Sequence, residues 1–413
     1  MSSFPAIFFQ LLRSSSGAHA QLHQDECSTG QGPLCTLCAA SRIDSDTERR
    51  LKEHALREWW AGAAPGIPLA PLMPSPLPRH YRTVSKRKAF RRGRRLLLGL
   101  IDPDADNGDH AVEVLRCAIE PLSHATIYKA VHAFLGKPAA GSFFDVLQYV
   151  IVKGDDRERV VILNVRSIDA AILRTANTLS KSLTGTDPTV RGVFLYEDAS
   201  DGRYYMGTTS SGAPGRLQKL YGSATLSHVT AGKRFVYPVQ SFSQVNQSIL
   251  DPMVDRIGGL LHLPVKGTLY DLYCGYGLFG ISFAERATRV TGADIAPAAI
   301  ESAGKIAEHL KITNARFSRS DLTETSLAGL MQRAGPSDVA ILDPPRGGTA
   351  PGVIEVVAST KCSRVVHLFC NIEILTQEAK RWSEAGYRFV EAVPMDLFPG
   401  TATIEIAGVF IPT

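Results

Sequence analysis

No apolar stretch in this chain approaches the ~18–20 residues that cross a bilayer, so the sequence predicts no membrane-spanning helix. Internal repeats are lacking, which removes solenoids and propellers. Cysteine is scarce, seven residues in 413, and shows nothing of the dense pattern of a secreted disulfide scaffold. A reducing compartment follows, and a cytoplasmic protein is expected. Carboxylates are missing from two places. Residues 1–24 contain no acid, one Arg and several Ser, which reads as a disordered or transit-like start; a transit peptide would move the protein to an organelle matrix. Between Tyr81 and Arg95 there are eight Lys/Arg and no Asp or Glu, an excess that favours a polyanion such as RNA; the alternative is a solvated basic hairpin. What is present is ordinary for a globular protein: 44% apolar, 21% charged, net charge +5, and length for two or three domains.

The most informative stretch is Asp271-Leu-Tyr-Cys-Gly-Tyr-Gly-Leu-Phe-Gly280. An apolar run, 267–272, enters it and a small-residue helix start leaves it, so glycines sit where a strand turns into a helix and a ligand can press against backbone. A second strand, 288–293, ends in Asp294, about 20 residues on, the placement that suits a ribose diol. The turn has neither the dinucleotide spacing nor a Lys-Ser/Thr phosphate grip. A nucleoside without phosphates, S-adenosylmethionine, fits better than NAD or ATP.

Nearer the start, Cys27-x7-Cys35-x2-Cys38 presents three thiolates in close order. They need a fourth ligand to complete zinc or an iron–sulfur cluster, and the single remote Cys117 favours a cluster over zinc, with His23 a substitute. Residues 44–60 carry Leu51, Ala55, Leu56 and Trp59 at helical spacing, and 61–78, with six prolines, reads as an extended linker. From 81 to 237 strands at 96–101, 160–165, 192–196 and 204–208 and a helix at 168–183 predict an α+β domain. From 238 onward strand–helix–strand alternation predicts a doubly wound parallel sheet.

Two further features fall at strand ends. Asp343-Pro-Pro-Arg-Gly-Gly348 follows the run 339–342, and Cys370-Asn371 follows 365–369. In open α/β sheets ligands bind outside the carboxyl ends of the strands, so Asp294, Asp343 and Cys370 would share one crevice. A Cys beside a methyl donor suggests covalent catalysis on uracil. Thiolate addition at C6 makes C5 nucleophilic, and a base must later remove the C5 proton. Glu405, in Asp396-Leu-Phe-Pro-Gly-Thr-Ala-Thr-Ile-Glu405, can be that base. The plainer alternatives are a buried strand cysteine and an exposed strand carboxylate.

Together these segments, with Ser241-Phe-Ser-Gln-Val-Asn246, resemble the RNA uracil-5 methyltransferases that use S-adenosylmethionine. The resemblance implies that Cys370 is the nucleophile and Glu405 the base. It implies that Gln244, Tyr273, Asp294 and Asp343 contact the cofactor; by general methyltransferase logic Asp321 contacts adenine. Cys27, Cys35, Cys38 and Cys117 look like the ligands of the [4Fe–4S] cluster of the 23S ribosomal RNA branch, whereas the transfer RNA branch lacks that cluster. The sequence departs from the family at Ile372, where Pro is usual, at Phe369, where Ser is usual, and at Thr403, where His is usual.

The expectation is therefore an α/β protein: a Rossmann-like (class I) methyltransferase domain over 238–413, an α+β RNA-binding domain over 81–237, and a cluster segment with helix and linker over 25–80. It would act as a monomer on ribosomal RNA. Transfer RNA as substrate, or a catalytically weak RNA-binding assembly factor, are the alternatives.

Overall fold

In the computed structural model, residues 2–15, 43–93, 95–101, 111–198 and 215–413 are described. The first described element is helix α1 (Phe4–Ser15), which buries Phe4, Ile7, Phe8 and Leu12 at helical spacing, where a disordered or transit-like start was expected. It packs against α2 (Ser45–Ala63). The buried stripe of α2 is Glu48, Lys52, Ala55, Leu56, Trp59, Trp60 and Ala63, so a lysine takes the place expected of Leu51, which is half-buried.

One compact unit comprises the described residues of 19–44 and 78–226. Its sheet contains β1 (Val84–Arg92), β2 (Arg95–Ile101), β3 (Ala111–Glu113), β4 (Leu147–Gly154), β5 (Arg159–Val165), β6 (Val190–Glu197) and β7 (Arg216–Gly222), in the order β3-β2-β1-β4-β5-β6-β7. Helices α3 (Leu122–Leu135), α4 (Gly141–Val146) and α5 (Ala170–Thr186) supply Tyr128, Val131, Phe143 and Leu179 to a core completed by Val150, Val152, Val161 and Leu163. Among the described residues of this sheet only β5 and β6 run parallel, joined by α5, whose first turn is capped by Asp169 accepting from Ile172 N at 2.7 Å. The strand expected at 204–208 lies outside the described residues.

The other unit gathers the described residues of 1–18, 45–77 and 227–413. After the hairpin β8 (Thr225–Thr230) and β9 (Lys233–Pro238) come α6 (Leu250–Leu260), β10 (Val265–Leu272), α7 (Leu278–Phe283), β11 (Ala287–Asp294), α8 (Pro297–His309), β12 (Ala315–Arg319), α9 (Glu324–Leu330), β13 (Val339–Leu342), α10 (Val353–Ser359), β14 (Arg364–Phe369), α11 (Leu375–Glu384), β15 (Tyr387–Met395) and β16 (Glu405–Pro412). The sheet order is β12-β11-β10-β13-β14-β16-β15, parallel from β12 to β14 and antiparallel at β16. The order reverses between β10 and β13, and a reversal of this kind opens a crevice at the strands' carboxyl ends. The unit has the expected α/β class, but the parallel sheet that was expected carries two antiparallel strands, β16 and β15, at one edge.

The proline-rich segment after α2 is not a free tether. Residues 68–73 run parallel to β15, with Ala70 N donating to Ala392 O at 2.8 Å and Met73 N to Pro394 O at 2.9 Å. Proline lacks the N–H that a central strand needs but is tolerated at a sheet edge, which is where this segment lies. Among the described residues no helix is long and apolar enough to cross a membrane.

Candidate active site

The turn after β10 is built from left-handed backbone. Tyr273, Gly275 and Gly277 have φ of 63°, 52° and 83°. For Tyr273 that conformation is costly and persists only because its surroundings hold it. A Cβ at Gly277 would press on Ile281 and Phe317, whereas one at Gly275 would meet nothing within 4 Å. Gly275 therefore lines open space. Its N–H donates to Asp294 Oδ2 at 2.9 Å, and Ala296 N donates to Asp294 Oδ1 at 2.8 Å, so the carboxylate at the tip of β11 is fixed by backbone. Tyr276 secures the turn to the hairpin, stacking on Tyr237 at 5.1 Å and meeting His228 Nε2 through its hydroxyl at 3.1 Å.

Across the switch point the β13 tip carries Asp343. Beside it β14 and β16 pair with Phe369 opposite Ile406. One step further on that register, residue 370 faces residue 405, and directly opposed residues of an antiparallel pair lie about 5 Å apart at Cβ on one face of the sheet. Glu405 accordingly acts electrostatically on Cys370, and Asp343 acts on both. Burial, then Glu405 and Asp343, pushes the Cys370 thiol up to about 12. Burial, then Asp343, raises Glu405 to about 8, while Arg346 opposes both shifts. Burial, then Asp294, raises Asp343 to about 7. Asp271, which sequence reasoning left inside its motif without a role, is also buried; it accepts from Gly280 N at 2.7 Å and is raised to about 7, first by burial. The crevice thus concentrates carboxyl groups with little cationic compensation, an environment that a bound cation would relieve.

Neighbouring loops hold the frame. Asn371 Nδ2 donates to Arg346 O at 3.2 Å, and Cys370 Sγ lies 3.7 Å from Pro344 O. Thr349 donates to Glu378 Oε1 through its N (2.8 Å) and Oγ1 (2.6 Å), and Ala350 N donates to the Tyr273 hydroxyl at 3.4 Å. Gln244 is buried; two residues on, Asn246 Nδ2 donates to Leu397 O at 3.1 Å, tying that motif to the one preceding Glu405. Ser243 Oγ and Glu405 Oε2 are buried without a hydrogen-bond partner among the described residues. Asp321 is exposed and accepts from Ser326 Oγ at 3.0 Å; it follows Ser320, whose N–H donates to Asp294 O at 2.9 Å, so it leaves the sheet beside the β11 tip. Phe242 and Ile295, which the sequence did not single out, stand exposed beside Gln244 and Asp294. Their signal was only adjacency to the motifs.

The open space at Gly275, the backbone-fixed Asp294 and the cation-poor crevice fit S-adenosylmethionine, a nucleoside carrying a sulfonium charge. Of the expected cluster ligands, Cys27, Cys35 and Cys38 lie outside the described residues. Cys117 is half-buried against Tyr81, Ala118 and Ile119, and among the described residues no group of three His, Cys, Asp or Glu is placed to hold a metal ion.

The basic stretch is only partly available to phosphates. Strand alternation turns Thr83, Ser85 and Arg87 inward. Arg87 is fully buried, donates to both oxygens of Glu120 at 2.9 and 2.7 Å, and lies 4.5 Å from the Tyr128 ring, so it cannot reach a surface polyanion. Arg91, Arg92 and Arg95 are exposed, Arg91 beside Asp145 at 2.8 Å. Arg94 lies outside the described residues.

Residues 217–413 match the family described as tRNA (uracil-5-)-methyltransferase. An uncharacterised RNA methyltransferase of Streptococcus mutans is 30% identical over 195 residues, 47% of this chain and 43% of that protein, so the chain spans less than half the length of that relative. One from Geobacter sulfurreducens is 26% identical over 403 residues, 94% of this chain and 77% of the relative. In fold the chain is similar to the Pyrococcus abyssi tRNA (uracil-54, C5)-methyltransferase solved with S-adenosyl-L-homocysteine, with a TM-score of 0.67 and 18% identity over 92% of this chain and 87% of that one.

Proposed function

We propose that this chain, whose residues 217–413 match the family described as tRNA (uracil-5-)-methyltransferase, is an RNA (uracil-5-)-methyltransferase and methylates C5 of a uridine in RNA by way of a covalent link between Cys370 and uracil C6. The observation that carries the reading is the pairing of a thiol and a carboxyl, Cys370 and Glu405, on one face of β14 and β16 with Asp343 beside them.

Gln244, Tyr273, Asp294, Asp321 and Asp343 would hold the cofactor, Asp294 at the ribose and Asp321 at the adenine. When bound, S-adenosylmethionine supplies an electrophilic methyl group. Cys370, as thiolate, adds to C6; the S–C6 bond forms, the C5=C6 pair moves toward the C4 carbonyl, and C5 would take the methyl as the methyl–sulfur bond breaks and leaves a neutral thioether. Glu405 then accepts the C5 proton, the electrons of that C–H bond restore C5=C6, and the S–C6 bond breaks to return the thiolate. In the cofactor-free protein burial, then the neighbouring carboxyls, keeps the Cys370 thiol protonated, burial does the same for Glu405, and a cation in the crevice would favour ionisation of both. The coupling links nucleophile activation to cofactor binding.

The RNA would reach the site with its target base flipped from the stack, at a cost of a few kcal/mol. Arg91, Arg92 and Arg95 would bind flanking phosphates. Ribosomal RNA is the substrate we favour, on the cysteine set. Transfer RNA is the second reading, supported by the family description and by the fold of the Pyrococcus enzyme. Cys27, Cys35, Cys38 and Cys117 are proposed to hold a [4Fe–4S] cluster, and a cytoplasmic monomer is proposed as the working form.

The test is trapping. With S-adenosylmethionine and 5-fluorouridine-substituted RNA, Glu405 has no proton to remove from C5, so the enzyme should remain attached through a denaturing gel and Cys370→Ala should abolish the band. Comparing ribosomal with transfer RNA, and mapping the adduct, identifies the substrate. Tight RNA binding with no adduct on either would leave the non-catalytic assembly factor as the reading.

A further inference from the structure

The buried lysine of α2 has no place in the chemistry above, yet everything it touches leads there. Lys52 is fully buried, and its Nζ donates to Asp396 Oδ1 at 2.8 Å and to Phe398 O at 3.2 Å while pairing with Glu48 Oε1 at 2.9 Å. Glu48 Oε1 in turn accepts from Gly400 N. One helix thus grips residues 396–400, the start of the segment joining β15 to β16. Thr401 N and Oγ1 donate to the same Phe398 carbonyl that Lys52 holds, at 3.1 and 2.8 Å. Asp396 N donates to Met73 O at 2.9 Å, and Leu397 O accepts from Asn246. Five residues after Gly400 the chain enters β16 at Glu405, which lies buried with Oε2 unpartnered among the described residues.

A buried ion set is a poor way to add stability, because well-packed apolar side chains of similar volume do at least as well. What charges supply is direction: an ammonium between two carboxylates and a carbonyl accepts only one arrangement of the loop that carries them. Mutual geometry is also what a proton-transfer group needs, since a displacement of about 1 Å can cost on the order of 100-fold in rate. We infer that Lys52, with Glu48, is a positioning residue for Glu405, holding residues 396–400 so that the carboxyl at the start of β16 faces the C5 proton of the adduct. The inference rests on the reaction proposed above and adds that the N-terminal helix is part of its machinery.

The consequence is a specific kinetic defect. Cys370 and Asp343 sit at the tips of other strands, so a loosened loop should slow release of the adduct more than its formation. Using full-length protein, S-adenosylmethionine and ordinary uridine-containing RNA, we would measure Cys370-dependent adduct on denaturing gels and methylated product released. Lys52→Met should keep KM for RNA, lower kcat by on the order of 100-fold and accumulate adduct as Glu405→Gln does. Should Lys52→Met not fold, Glu48→Leu decides: it leaves Lys52 and Asp396 as a neutral pair, removes the hold on Gly400, and should show the same accumulation in weaker form. Adduct and product falling in equal proportion, or a wild-type partition between them, would overturn the inference. Absence of any Cys370-dependent adduct in the wild type, with 5-fluorouridine RNA included, would instead overturn the reaction itself and the inference with it.

Discussion

Glu405 shows how much one residue's chemistry depends on burial. A carboxyl raised to about 8 is neutral in the folded protein at pH values where the unfolded chain has already ionised it. The stability it contributes is complete below about pH 4.5 and is lost as pH rises through about 8. Glu405→Gln removes the ionisation, so its melting temperature should gain on the wild type between pH 5 and pH 9. A difference that stays constant over that range would mean the carboxyl is not buried as a neutral group. Cys370 and Asp343 shift in the same direction for the same first cause, burial, and the three share one crevice. Residue types at strand tips were readable from the chain. Their protonation was not, because desolvation is a property of everything packed around them.

Elements divide the basic stretch into two kinds of arginine. The count of charges between Tyr81 and Arg95 suggested a uniform phosphate-binding run, but β1 alternates, and its pleat sends Arg87 to Glu120 while β2 leaves Arg95 in solvent. Arg95→Ala should weaken RNA binding and reduce the slope of log affinity against log salt by about one unit. Arg87→Met should leave that slope unchanged and cost about 3–5 kcal/mol of stability, because it strands a buried carboxylate. Salt titration of binding and denaturant melts separate the two, and a common effect in both variants would refute the division. The linker of six prolines is a similar case. Composition announced extended backbone; only the exposed edge of β15 decided that it would be docked.

For the whole molecule, the expected cluster would join ligands that the sequence places up to 90 residues apart, Cys27 and Cys117. Purified without oxygen, the protein should contain about four iron and four acid-labile sulfide per chain, lost in Cys117→Ser. Zinc in place of iron, or no metal, would remove the cluster from the proposed function. By itself the sequence determined the strand–turn–helix at 265–283, the acidic and thiol residues at the ends of later strands, and an α/β class, since glycine spacing, apolar runs and periodicity are local properties. Tertiary structure alone decided that β16 inserts between β14 and β15, which brings Cys370 opposite Glu405 from 35 residues away. It also decided that Lys52 turns inward onto residues 396–400 and that Arg87 is consumed by Glu120. Strand order and the pairing of buried charges are set by which surfaces exclude water together, and no local pattern encodes that.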